Sequence, residues 1–216
     1  MFSKWIGQCG DCQEWNSIVE IPVADSSAQR ARFGRASGSQ QGVQSLSEVS
    51  LDEQTRIKTG FSEFDRVLGG GLVAGSVVLL GGDPGIGKTT LLLQSLAEVK
   101  ALNGLDALYV SGEESAAQIA LRAERLELPS DDLRLLTETE VDRILARIEE
   151  SHPLVIAVDS IQSVYSEHLQ SPPGSVAQVR ECANRLVNYA KSAGTALYLV
   201  GHVAKDGSIA GPRVLE

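Results

Sequence analysis

The residues of this chain whose types and spacing most clearly carry chemistry are Gly82-Asp83-Pro84-Gly85-Ile86-Gly87-Lys88-Thr89, which follow the pattern G-x-x-x-x-G-K-S/T. Three glycines let the backbone turn tightly, so that successive N–H groups face phosphate oxygens while the next helix offers its positive N-terminal end. In that cradle Lys88 reaches the β- and γ-phosphates and the Thr89 hydroxyl holds Mg²⁺, with Thr90 next in the same turn. The apolar run 76–80 before the loop reads as a buried strand, and 90–96 after it has helical apolar spacing. The chemistry is therefore that of a bound nucleotide.

A phosphate cradle of this kind needs a second acid near the metal. Residues 154–158, Leu-Val-Ile-Ala-Val, form an apolar strand that ends in Asp159, the form of a Walker B carboxylate acting on Mg²⁺, although Ser160 next to it also allows a simple turn cap. Hydrolysis needs a group to orient and deprotonate water. Tyr109-Val110-Ser111-Gly112-Glu113-Glu114-Ser115 sets two carboxylates at a strand's C-terminal end, where open α/β sheets bind their ligands. Side chains alternate along an extended segment, so one faces inward; Glu113 is the candidate base, the other reading being two first-turn acids that favour a helix dipole. His202, after the apolar strand 196–201, is placed either to sense the γ-phosphate or as a strand-end residue. Arg180, Arg185 and Lys191 on one helix read as solvated, and Cys182 beside them as a small core residue.

The strands and helices that must position these groups alternate. Strand-like stretches at 76–80, 107–110, 133–136, 154–158 and 196–200 are separated by helical ones ending near Asn103 and spanning 116–126, 141–149 and 176–192. Such alternation implies a mainly parallel sheet with helices on both faces, an α/β fold. Ser115 with Gln118, Thr137 with Glu140, and Ser175 with Gln178 have capping-box spacing. We read residues 1–23 as a small knuckle, 24–50 as a Ser, Ala, Gly, Gln and Arg linker, and 51–216 as the core.

In the knuckle, Cys9-Gly10-Asp11-Cys12 is a C-x-x-C turn flanked by Trp5 and Trp15. Tetrahedral zinc takes four ligands, so this is half a Zn²⁺ site. With three cysteines in 216 residues, a reduced compartment fits better than a disulfide framework. No run of about 18 apolar residues occurs, and Met1 to Trp5 leads into no apolar leader, so the expectation is a cytoplasmic protein without a membrane partner. The net charge of −9 supplies no global field for nucleic acid. Residues 61–216 carry 13 bases against 21 acids, so the acidity lies in the core and any DNA contact falls to local basic loops or to an oligomeric channel.

Taken together, six segments resemble the bacterial RadA (Sms) family. They are 5–16 with its half-knuckle, 59–71 (TGFSEFDRVLGGG), the phosphate loop, 110–115 (VSGEES), 171–181 (SPPGSVAQVRE) and 201–216 (GHVAKDGSIAGPRVLE). The resemblance implies a RecA-like P-loop ATPase with ATP and Mg²⁺ as cofactors and Zn²⁺ in the complete ribbon. It further implies single-stranded and branched DNA as partners in repair and recombination, a homo-hexameric ring, and a RecA-type recombinase as companion. Lys88, Glu113 and Asp159 would be catalytic, and the loops after Asp159 and His202 would face DNA. The family's ribbon holds two C-x-x-C pairs, and the family continues into a Lys-Asn-Arg-Phe-Gly motif and a Lon-protease-like domain, so the expectation is a chain incomplete at both ends. Two other readings share these residues: a RecA-like ATPase of clock or replicative-helicase type, and a regulatory module that binds nucleotide without turnover.

Overall fold

The structure, a computed structural model, describes residues 45, 56–129 and 133–202. The expectations for Cys9, Cys12, the linker and the loop beyond His202 fall outside these residues. Five parallel strands, β1 (Val77–Gly82), β2 (Ala107–Ser111), β3 (Arg134–Thr137), β4 (Val155–Asp159) and β5 (Ala196–His202), form one sheet in the order β1-β5-β4-β2-β3. Because every pair is parallel, all five C-terminal ends lie along one edge. Phosphate loop, candidate Walker B acid, candidate base and His202 all follow or end strands on that edge.

Helices α1 (Ser62–Val67), α2 (Lys88–Asn103), α3 (Ala116–Arg125), α4 (Val141–Ser151) and α5 (Val176–Ala193) cover the sheet. Alternate residues of a strand point to opposite faces, and the two buried clusters divide accordingly. Leu92, Leu93 and Leu96 of α2 and Ile119 of α3 pack with Tyr109, Ala157 and Tyr198 on one face, where Phe64 of α1 stacks on Tyr198 at 5.8 Å. Ile144 and Ile148 of α4 and Val179, Cys182 and Leu186 of α5 pack with Val110, Val158 and Leu199 on the other. Burial pushes the Cys182 thiol up to about 12, which keeps it an inert core residue. The helix-covered, near-continuously apolar strands are the pattern of a buried parallel sheet.

Three local expectations are corrected. Ser115 and Gln118 form the full reciprocal capping box of α3, but Thr137 ends β3 and Glu140 itself caps α4, accepting from Asp142 N at 3.0 Å and Arg143 N at 2.8 Å. The pairing of β3 with β2 runs through Thr137, which leaves the residue after Thr139 as the first available cap. Ser175 caps α5, yet Gln178 turns away to the loop before it. Arg185 is paired with Asp142 instead of solvated, while Arg180 and Lys191 are exposed. Two short elements had no periodic signal: the six-residue α1 and a 3₁₀ turn at Ile161–Ser163. β1 also extends two residues further than its apolar run, because Gly81 and Gly82 pair with Gly201 and His202.

Candidate functional site

The loop from Asp83 to Gly87 connects β1 to α2. Gly85 and Gly87 adopt φ of +81° and +104°, which only glycine takes up without strain, and Gly87 is the N-cap of α2. A side chain at either would meet nothing within 4 Å, so backbone conformation and not crowding requires glycine there. Gly82 differs: a Cβ there would sit 3.2 Å from Ile86 and 3.6 Å from Lys88. Asp83, Pro84 and Ile86 are exposed on the loop, and Thr90 is half-buried in the first turn of α2. Lys88 folds back over the loop, its ammonium donating to the carbonyls of Gly82 at 2.8 Å and Asp83 at 2.9 Å. The sixteen-residue α2 thus begins at the loop, with its N-terminal N–H groups and the Lys88 ammonium beside one another, an arrangement suited to phosphate.

Asp159 ends β4 with 5% of its surface exposed. Thr89 Oγ1 donates to Asp159 Oδ2 at 2.6 Å, joining two positions 70 residues apart. Tyr109 OH donates to the same oxygen at 2.7 Å. A hydroxyl and a carboxylate are hard oxygen donors, so this pair suits Mg²⁺.

Glu113 and Glu114 lie in a bend past the end of β2, not in an extended segment, and they take different partners. Glu114 forms an ion pair with Arg122 of α3. Glu113 Oε1 accepts from Ser160 Oγ and lies 2.9 Å from His202 Nε2. A carboxylate only accepts, so Nε2 is the protonated nitrogen in this contact. His202 ends β5 in register with Gly82, the first residue of the phosphate loop, and its carbonyl accepts from Gln162 Nε2 at 3.5 Å. Lys88, Thr89, Asp159, Glu113 and His202, spread over 115 positions of the sequence, therefore meet at one sheet edge.

Several residues at this edge escaped the sequence reading. Ser160 binds Glu113, and Ser163 Oγ donates to Ser160 O at 2.7 Å. Gly112 runs so close to this turn that a Cβ would lie 2.8 Å from Ser163 Cβ and 3.1 Å from Thr139 Cγ2. Gln178, 1% exposed, holds the following loop: its Oε1 accepts from Ser166 N at 2.8 Å, and its Nε2 donates to Ser166 O, Leu169 O and Ser171 O at 3.1, 3.3 and 2.9 Å. The motif 171–181 contains this glutamine, but nothing in its spacing announces a buried amide. Among the described residues no group of three or more His, Cys, Asp or Glu side chains could hold a metal, and no helix is long and apolar enough to cross a membrane.

Comparison with known proteins agrees with this fold. A family model described as an AAA domain matches residues 44–208, and one described as a rubredoxin metal binding domain matches residues 1–20. The chain is 55% identical over 215 residues to the DNA repair protein RadA of Pseudomonas aeruginosa, covering 100% of this chain and 47% of that protein. For the proteins of the same name from Haemophilus influenzae and Escherichia coli the identities are 52% and 51%, each again over 100% of this chain and 47% of the relative. The chain spans about half the length of the curated relatives it matches. Among solved structures, a KaiC-like protein from the archaeon Pyrococcus horikoshii OT3 superposes with a TM-score of 0.61 at 22% identity, over 75% of this chain and 78% of that one, a likeness of fold.

Proposed function

Because this chain belongs to the AAA-domain family and is, along its whole length, a relative of the RadA DNA repair proteins, we propose that it binds ATP with Mg²⁺ and hydrolyses it in a DNA-dependent cycle serving repair and recombination. The observation that carries this reading is the 2.6 Å bond between Thr89 and Asp159, because it draws the loop threonine and the strand-end acid into one hard-oxygen pair beside the cradle. Backbone N–H groups of the loop and the Lys88 ammonium bind the phosphates, and Thr89 and Asp159 would hold the metal. Bound there, Mg²⁺ would neutralise negative charge on the phosphates. Glu113 takes a proton from the attacking water, and His202 keeps its carboxylate in place from the neighbouring strand.

Single-stranded and branched DNA would be met by the loop that Gln178 organises and by the stretch after His202, with a homo-hexamer supplying the enclosing channel and a recombinase acting on the same substrates. The relatives' names support repair as the setting. The match of residues 1–20 to a metal-binding domain supports Zn²⁺ at Cys9 and Cys12 together with ligands from elsewhere. The deciding experiment is ATP hydrolysis by the chain with and without single-stranded DNA, with Lys88→Ala as control. Turnover that DNA stimulates and the variant lacks is expected, with DNA affinity that falls steeply as salt rises through counterion release. Equal residual rates for wild type and variant would sink the reading.

A further inference from the structure

Tyr109 is a large aromatic residue in the middle of β2, and packing alone would be served as well by phenylalanine. It is 1% exposed and lies among Leu93, Ile119 and Leu135. The register of the sheet explains its second contact. Tyr109 pairs with Ala157 of β4, so Tyr109, Ala157 and Asp159 share one face, and Asp159 is the diagonal neighbour two residues on. An aromatic side chain spans that diagonal, and the small Ala157 leaves its path open. The phenol accordingly reaches Asp159 Oδ2 at 2.7 Å. Among the described residues both hydrogen bonds to this carboxylate fall on Oδ2, one from Thr89 on α2 and one from Tyr109 beneath.

We propose that Tyr109 is a positioning residue for the metal-holding carboxylate, fixing the rotation of Asp159 from below so that Thr89 and Asp159 present their oxygens to Mg²⁺ together. This inference rests on the nucleotide-site reading above. Two donors from different elements converging on one oxygen of a nearly buried carboxylate remove its rotational freedom before the metal arrives.

The test is Tyr109→Phe, which deletes one oxygen and keeps the ring. A fluorescent ATP analogue is bound to the chain first in EDTA and then over a Mg²⁺ titration, and thermal unfolding is followed separately without nucleotide. The expected result is a Mg²⁺ midpoint raised about tenfold with affinity in EDTA unchanged, the size of one lost hydrogen bond to a charged group. In an Asp159→Asn background the same change should shift nothing further. An unchanged Mg²⁺ midpoint, or a lower unfolding temperature with the midpoint unmoved, would assign Tyr109 to packing alone and overturn the proposal. So would an additive shift in the Asn background. If wild-type binding shows no Mg²⁺ dependence, the nucleotide-site reading itself fails, an outcome distinguishable from the others.

Discussion

His202 Nε2 and Glu113 Oε1 lie 2.9 Å apart although 89 positions separate them in the sequence. The contact joins the end of β5 to the bend after β2, across the intervening β4. With Ser160 donating to the same carboxylate oxygen, Glu113 is held from two sides. Removing one holder should loosen the base without touching the phosphate cradle. His202→Ala is therefore expected to lower kcat by up to about 10²-fold, the scale of a misplaced catalytic group, with ATP affinity unchanged. Steady-state rates and a separate ATP titration distinguish this from a direct nucleotide contact, which would weaken binding and spare kcat.

Glu113→Gln keeps the size and the polar contacts of the side chain and removes its basicity. A loss of about 10²–10⁴-fold in turnover is expected, the usual worth of a general base, with the nucleotide still bound. Single-turnover hydrolysis measures it. Undiminished turnover would move the role to another residue.

Lys88→Ala acts on binding instead. Each charge-assisted contact from an ammonium to phosphate contributes about 1.5–3 kcal/mol, so ATP affinity should fall by at least about tenfold. Among the described residues its ammonium bonds only backbone carbonyls of its own loop, which water replaces readily, so the unfolding temperature should hardly move. Titration with ATP and a thermal melt read the two effects separately.

The fold and the site were legible in the sequence to different depths. Long apolar strands such as 154–158 and the 3.6-residue spacing of α5 exposed the α/β order, because burial on both faces leaves a continuous signal. The turn from Gly82 to Thr89 was legible because the pattern sets glycines and a lysine at fixed offsets between a strand and a helix. Tyr109 and Ser160 were not, since their roles depend on which strands lie side by side, and the order β1-β5-β4-β2-β3 is a property of the whole chain. Gly112 shows the same limit: its lack of a side chain matters because Ser163, 51 positions away, occupies that space. The capping assignment for α4 failed because strand pairing through Thr137 outweighed a local hydrogen-bond pattern.

Gln178→Ala tests the loop between β4 and α5. It would strand the Ser166 N–H and the carbonyls of Leu169 and Ser171, which now have this amide as partner, and would leave Ser166 O with Leu169 N alone. We expect a loss of about 2–3 kcal/mol in urea unfolding and faster amide exchange at 166–171, with α2 and its loop still protected. Exchange unaltered in that segment would show that the loop is held by other contacts.

The ion pair of Asp142 with Arg185 predicts the shape of the acid limb. The Arg185 hydrogen bond holds the Asp142 carboxyl below the ordinary 3.8, outweighing burial, which raises it, while the Arg185 charge gives a smaller further lowering. A carboxyl whose folded value is depressed contributes stability that is complete above the unfolded value and disappears as pH falls through the folded one. His168 Nε2 lies 3.5 Å from the same carboxylate and adds to the attraction when protonated. Wild type should therefore be more stable than Asp142→Asn at pH 5, with the difference shrinking once pH drops below about 4 and vanishing at the most acid end. Unfolding free energies of both proteins from pH 6 to pH 2 measure it. A difference that stays constant across that range would mean that the pair does not titrate with folding, and that the asparagine acts only through packing.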